Sequence, residues 1–113
     1  MQIIEKIIIA KDFTATPGAR YRTDGKWSGE EFLEDHLQKK FNAAVQQNGL
    51  VFIDLDGVFG YPSSFVSGSF GKLSLEKGAD LVLKHLQFKS DDSPIRLEQV
   101  ITEIKNPKKK DKN

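Results

Sequence analysis

Short apolar runs alternate with amphipathic stretches along this chain, and the order of the two sets the fold expectation. Residues 2–10 read as a strand rich in isoleucine, with Ile3, Ile4, Ile7, Ile8 and Ile9 too continuous for a strand with one wet face. Between Thr14 and Gly25 the turn pairs Pro17-Gly18 and Asp24-Gly25 bracket either a short hairpin partner for that strand or an ordered loop. A helix is then predicted over roughly 29–47. Ser28 and Glu31 form a capping box at its start, and Phe32, Leu33, Leu37, Phe41, Ala44 and Val45 share one face. Asn48-Gly49 supplies a left-handed stop.

Leu50 to Leu55 is a second apolar run, short enough for an interior strand, and Asp56-Gly57 and Gly60 turn the chain after it. A second helix is predicted from the Tyr61-Pro62-Ser63-Ser64 segment. Phe65, Val66, Phe70 and Leu73 point inward, while Gly68 and Gly71 permit close approach. Gly78 breaks it, and residues 79–85 read equally as more helix or as the lead into a strand. Leu86 and Phe88 alternate with Gln87 and Lys89, as in a half-exposed strand. Ser93-Pro94 opens a last helix with Leu97, Val100, Ile101 and Ile104 as its inner stripe, and Pro107 ends it. The order β, possible β, α, β, α, β, α argues for an α/β domain with helices covering a sheet.

Composition narrows this picture. The chain has 113 residues, fitting one domain; 38% of them are hydrophobic and 29% charged, enough apolar material for a single core. Domain bounds of 1–106 are expected, with residues 107–113 a basic disordered tail that solubilises. No apolar run approaches the roughly eighteen residues of a membrane span, and the start lacks a signal-peptide layout, so the cytoplasm is the expected location. Cysteine is absent, which removes disulfides and thiolate metal sites. A net charge of +1 gives no general nucleic-acid signature, so no nucleic-acid partner is expected.

Candidate chemistry is sparse. Phe52 to Val58 contains Asp54-Leu55-Asp56-Gly57, which looks like the first motif of the haloacid-dehalogenase phosphatases, with one aspartate as nucleophile and the next as general acid beside magnesium. Too little chain follows for the lysine and further carboxylates that such enzymes need. The plainer reading is a strand end and a turn. His36 and His85 have no metal-binding spacing and are expected at surface or half-buried helix positions. Among the glycines there is neither a Walker loop nor a dinucleotide fingerprint. Neither catalytic residues nor a cofactor or metal site are expected. Arg20 and Arg22, ahead of a helix start, are a candidate anion site, set against an edge strand whose arginines face water or pair with Asp24 or Glu30. Ser63 and Ser64 lie where a turn becomes a helix. Such serines first of all cap the helix, and the same place tolerates a phosphate electrostatically.

Together these pieces resemble a family. Ser28-Gly29-Glu30-Glu31-Phe32, Ile53 to Val58, Ser63-Ser64-Phe65 and Phe70-Gly71, preceded by the turn from Pro17 to Tyr21, are similar to the STAS-like domain of unknown function. The resemblance implies a single small domain with a mixed sheet and helices mainly on one face, related in fold to the anti-sigma-factor antagonists. Those antagonists bind a serine kinase of the histidine-kinase-like ATPase type and are switched by phosphorylation at a helix start. Their switch serine falls on Ser63, with Pro62 where an aspartate would stand and Phe65 where a glycine would. The function so implied is a non-enzymatic regulatory module binding a protein partner around Ser63, Ser64 and Phe65. A small magnesium phosphatase on the Asp54-Asp56 motif and an anion or nucleotide sensor on Arg20 and Arg22 are the alternatives.

Overall fold

The computed structural model describes residues 1–108. Three strands, β1 (Ile3–Ile8), β2 (Leu50–Asp54) and β3 (Leu86–Lys89), form one sheet in the order β1-β2-β3. Helix α1 runs through 29–46 and connects β1 to β2. Helices α2, through 63–77, and α3 (Ala79–His85) connect β2 to β3, and α4 (Pro94–Lys105) follows β3. Both α1 and α2 contain a π-helical turn, Leu33–Leu37 in the first and Ser67–Gly71 in the second. A further π-turn, Ile9–Phe13, continues β1.

The α/β class and the strand and helix order stand, with one correction to the sheet. Both strand pairs are parallel, so among the described residues the sheet is not mixed. The candidate hairpin partner is a loop. Its backbone groups go to the helix entry instead: Gly18 N–H donates to Trp27 C=O (2.8 Å), Gly29 N–H to Ala19 C=O (2.8 Å) and Glu30 N–H to Arg20 C=O (3.0 Å). With those groups engaged, the segment has no ladder to offer an edge strand.

Burial alternates along β2, where Val51 and Ile53 are fully buried and Leu50, Phe52 and Asp54 half-buried. The buried side meets Phe32, Leu37 and Phe41 of α1, Phe65, Phe70 and Leu73 of α2, and Val100 and Ile104 of α4 in one core. On the other side Lys6 and Gln87 are exposed, with the Lys6 ammonium 5.8 Å from the centre of the Phe52 ring. Helices therefore cover one face. The isoleucines of β1 do not all follow the expectation of full burial. Ile7 and Ile9 are in the core, but Ile3 is 46% exposed, because β1 is an edge strand with an irregular register between Ile3 and Glu5.

Local signals explain the helix ends. Ser28 Oγ accepts from Glu31 N–H (3.0 Å), while Glu31 Oε1 accepts from Trp27 N–H (3.2 Å), one residue before the helix cap. At the other end Gly49 N–H bonds Ala44 C=O and Asn48 N–H bonds Val45 C=O, the paired closure of a Schellman stop, with Asn48 at φ 54°. Gly78, at φ 92°, separates α2 from α3 and settles residues 79–85 as helix.

Candidate functional site: the C-terminal edge of the sheet

Parallel topology brings the loops after β1, β2 and β3 to one edge, where ligands and partners of open α/β sheets usually bind. Register matters first. Asp54 pairs with Lys89 across β2 and β3, which carries the Lys89 side chain to the turn that follows β2. In that turn Asp54 Oδ1 accepts from Asp56 N–H (2.9 Å). Asp56 accepts three hydrogen bonds, from Lys89 Nζ (2.6 Å), Asp91 N–H (3.0 Å) and Asp92 N–H (2.8 Å), and Asp92 in turn accepts from Gly57 N–H (2.8 Å). Held chiefly by Lys89, and also by the two backbone donors, Asp56 has its pKa lowered to about 2 despite the opposing effect of burial. The Lys89 ammonium is shifted upward, mainly by Asp56 and then Asp91. Asp54 and Asp56 thus clasp the two turns together. Among the described residues no group of three or more His, Asp or Glu side chains is arranged to hold a metal ion. The phosphatase alternative is not favoured by this geometry.

Beyond Gly57 the same loop turns its side chains in opposite directions. Val58 and Tyr61 are buried, whereas Phe59 between them is 83% exposed. The backbone is tied on every side: Arg96 donates to Val58 C=O (2.7 Å) and Phe59 C=O (3.0 Å), and Gln99 Nε2 donates to Tyr61 C=O (2.9 Å). Phe59 N–H donates to Ala15 C=O (2.9 Å), and Tyr61 Oη donates to Leu55 C=O (2.9 Å). Burial of the Tyr61 hydroxyl raises its pKa. A well-held loop thus presents an aromatic ring to solvent.

Pro62, rather than a serine, caps α2. Its carbonyl accepts from Val66 N–H (3.1 Å), and no side chain caps this helix. Ser63 is the first helical residue and exposed, and Ser64 is half-buried. Phe65 is fully buried among Phe13, Phe32 and Tyr61, so of the expected contact residues it belongs to the core and cannot meet a partner. Ser63 and Ile95, the latter 72% exposed, line a groove between the starts of α2 and α4 with Glu98 and Thr102. Phe59 and Pro62 line the adjoining depression with Thr16 and Pro17. Phe59 and Pro62 thus line one depression and Ser63 and Ile95 another, the two linked by the Pro62–Ser63 step of the chain.

The two arginines do not converge. Arg22 is exposed and bridges Glu34 (3.1 Å) and Asp35 (3.0 Å), which raise its pKa, Glu34 foremost. Arg20 is half-buried in the cleft between α1 and α2, where its Nη1 donates to Ser67 Oγ. His36 is half-buried as expected. His85 is not: it is 2% exposed, its Nδ1 2.7 Å from Gly49 C=O at the end of α1. Residues 109–113 of the expected tail lie outside the described residues.

Phe59, Ile95 and the Arg96 clamp went unmarked in the sequence reading. Phe59 carried one usable signal: a large apolar residue between Gly57 and Gly60 belongs to no helix or strand period that could bury it.

A parallel sheet covered on one face, with an ordered loop-to-helix junction at its C-terminal edge, defines a small α/β domain. This chain belongs to the family of STAS-like domains of unknown function, whose profile matches residues 28–96, more than half its length. No curated protein and no solved structure matches it. Among the described residues no helix is long and apolar enough to cross a membrane.

Proposed function

We propose that this chain is a cytoplasmic, non-enzymatic regulatory module that binds a protein partner through Phe59, Pro62, Ser63 and Ile95. Negative charge at Ser63 releases the partner. One observation carries the reading: Phe59 is exposed on a loop held through the carbonyls of Val58, Phe59 and Tyr61 and the Phe59 N–H, beside an exposed serine at the first position of a helix. A rigid aromatic flanked by a second apolar side chain is the anatomy of an interaction hot spot, because little conformational entropy is lost when it is buried. Phosphate at Ser63 adds close to two negative charges at a helix start that accepts them, in a groove that already carries Glu98. The partner suggested by the family's kinship with anti-sigma-factor antagonists is an ATPase-type serine kinase.

The test is capture of that kinase from the native cell, followed by binding measurements on variants. Incubation with kinase and ATP is expected to place phosphate on Ser63, read by mass spectrometry. Unchanged affinity for Ser63→Asp would remove the switch, and unchanged affinity for Phe59→Ser together with Ile95→Ser would remove the docking surface.

A further inference from the structure

The cleft between α1 and α2 holds a cation that the described residues leave without an ion-pair partner. Arg20 is half-buried there, yet among the described residues its guanidinium has no carboxylate within ion-pair distance and donates to the Ser67 hydroxyl. Carboxylates are nearby but engaged elsewhere. Glu34 bridges Arg22, Glu30 accepts from the Arg22 backbone N–H (2.9 Å), and Glu76 lies 3.9 Å from Lys72. A guanidinium partly withdrawn from water is costly unless an anion meets it. Arg22, two residues away and in open solvent, has two such partners, whereas Arg20 has none among the described residues.

The surroundings specify the missing anion. The cleft encloses about 300 Å³, the lower end for small-molecule sites. Leu33 and Leu75 line it, and Leu75 is 43% exposed. Both helices are π-wound where they border it, at Leu33–Leu37 and Ser67–Gly71, and π-turns recur at functional sites because they widen the helix and redirect its side chains. Gly68 completes the wall: a Cβ there would lie 2.7 Å from the Arg20 carbonyl oxygen, so only glycine leaves the strand of chain bearing Arg20 in place. A planar guanidinium matches a carboxylate fork to fork. The rim carries Glu30, Glu34 and Glu76 beside Lys72 and Lys108, so it adds no large positive field that would call for a dianion, and the leucines favour a hydrocarbon body.

We infer that this cleft binds a small monocarboxylate with an apolar body, its carboxylate on Arg20 and Ser67 and its hydrocarbon on Leu33 and Leu75. The site is separate from the docking surface and stands or falls independently of it.

The experiment is an NMR titration of the isotope-labelled full chain with sodium hexanoate and with sodium phenylacetate, at constant ionic strength. Inorganic phosphate supplies the dianion arm. Saturable shifts of the Ser67, Gly68 and Leu33 amides are expected with at least one carboxylate. Affinity should fall about tenfold or more in Arg20→Gln and hold within about twofold in Arg22→Gln, since only the former loses the guanidinium that meets the ligand carboxylate. Leu75→Glu, at an exposed position that does not threaten folding, should weaken carboxylate binding by placing like charge at the mouth. Non-saturable shifts, shifts scattered over surface lysines, or equal affinity in wild type, Arg20→Gln and Leu75→Glu would each overturn the site. Tighter binding of phosphate than of either carboxylate would overturn the ligand class.

Discussion

The loop after β2 has two halves, one carrying two carboxylates and the other two aromatic rings, that behave in opposite ways. In Asp54 to Gly57 the carboxylates are taken up within the fold: Asp54 meets the Asp56 N–H, Asp56 meets Lys89 and two backbone N–H groups, and the Gly57 N–H meets Asp92. From Val58 to Ser63 the backbone is equally well tied, but Phe59 and Ser63 are left facing solvent. Carboxylates bonded to the neighbouring turn brace the loop, and their net effect should be read in stability. A segment that is rigid and still exposes an aromatic ring is available to something else. Substitutions in each half should separate the two by stability, with large losses inward and almost none outward.

Phe65 sets the upper end. It was a candidate contact residue, yet it is fully buried against Phe13, Phe32 and Tyr61. Phe65→Ala should destabilise by roughly 3–5 kcal/mol, transfer loss plus cavity, measured by urea unfolding. A loss comparable to an ordinary surface change would mean that the start of α2 is not anchored as described.

Asp56→Asn comes next, with an expected cost of about 2 kcal/mol at neutral pH, because it weakens a charge-assisted bond and leaves backbone donors poorly met. The pH dependence identifies the group. Asp56 has its pKa lowered from 3.8 to about 2, so the unfolded chain takes up the proton first. Its contribution is therefore complete above the unfolded value and lost as pH falls through about 2. Lys89 is shifted the other way by the same carboxylates, so the pair is also lost at the other end of the scale, where Lys89 deprotonates in the alkaline range. The stability gap between wild type and Asp56→Asn should thus narrow on acidification from pH 5 towards 2. A gap that stays constant over that range would show that Asp56 does not carry the clasp.

These inward interactions show how far the sequence could be read. Periodicity reports which local face is buried, so α1, the strand of Leu50–Asp54 and the inner stripe of α4 were legible, as was the stop at Asn48-Gly49. What joins loops across the sheet is not periodic. Lys89 reaches Asp56 and Arg96 reaches Phe59 over separations of 33 and 37 residues, which no local window contains. His85 was misplaced for the same reason, since its burial depends on Gly49 from a distant turn. The stretch between Thr14 and Gly25 stayed open between hairpin and loop because Pro17-Gly18 and Asp24-Gly25 mark turns without saying whether a strand lies between them. The arginines illustrate the limit at a site: equal in sequence, Arg20 and Arg22 differ only in which helix each faces.

Ser63→Asp probes the outward half electrostatically. At the first position of α2 a carboxylate lies near the positive end of the helix, so stability should change by no more than about 0.5 kcal/mol, in the stabilising direction. Partner affinity should nonetheless fall about tenfold or more, because the new charge must be buried in the interface beside Glu98. Destabilisation instead would mean that Ser63 is structural, and its exposure would need another explanation.

Phe59→Ser should have the smallest effect on stability and is the sharpest comparison with Phe65. Six positions apart, the two rings differ in exposure from 83% to 0%. Because the Phe59 ring already faces water, its removal gives up little transfer free energy and opens no cavity, so the unfolding midpoint should shift within the range of a surface change, about ±0.5 kcal/mol. The loop should keep its shape, since Arg96 and Ala15 hold Phe59 by its backbone carbonyl and N–H, which serine retains. Binding is where the loss should appear: truncating an aromatic anchor at the centre of an interface commonly costs about 2 kcal/mol or more of affinity. A variant that folds like wild type and binds its partner as tightly would show that Phe59 is exposed to no purpose, and the contrast between the two halves of the loop would then concern stability alone.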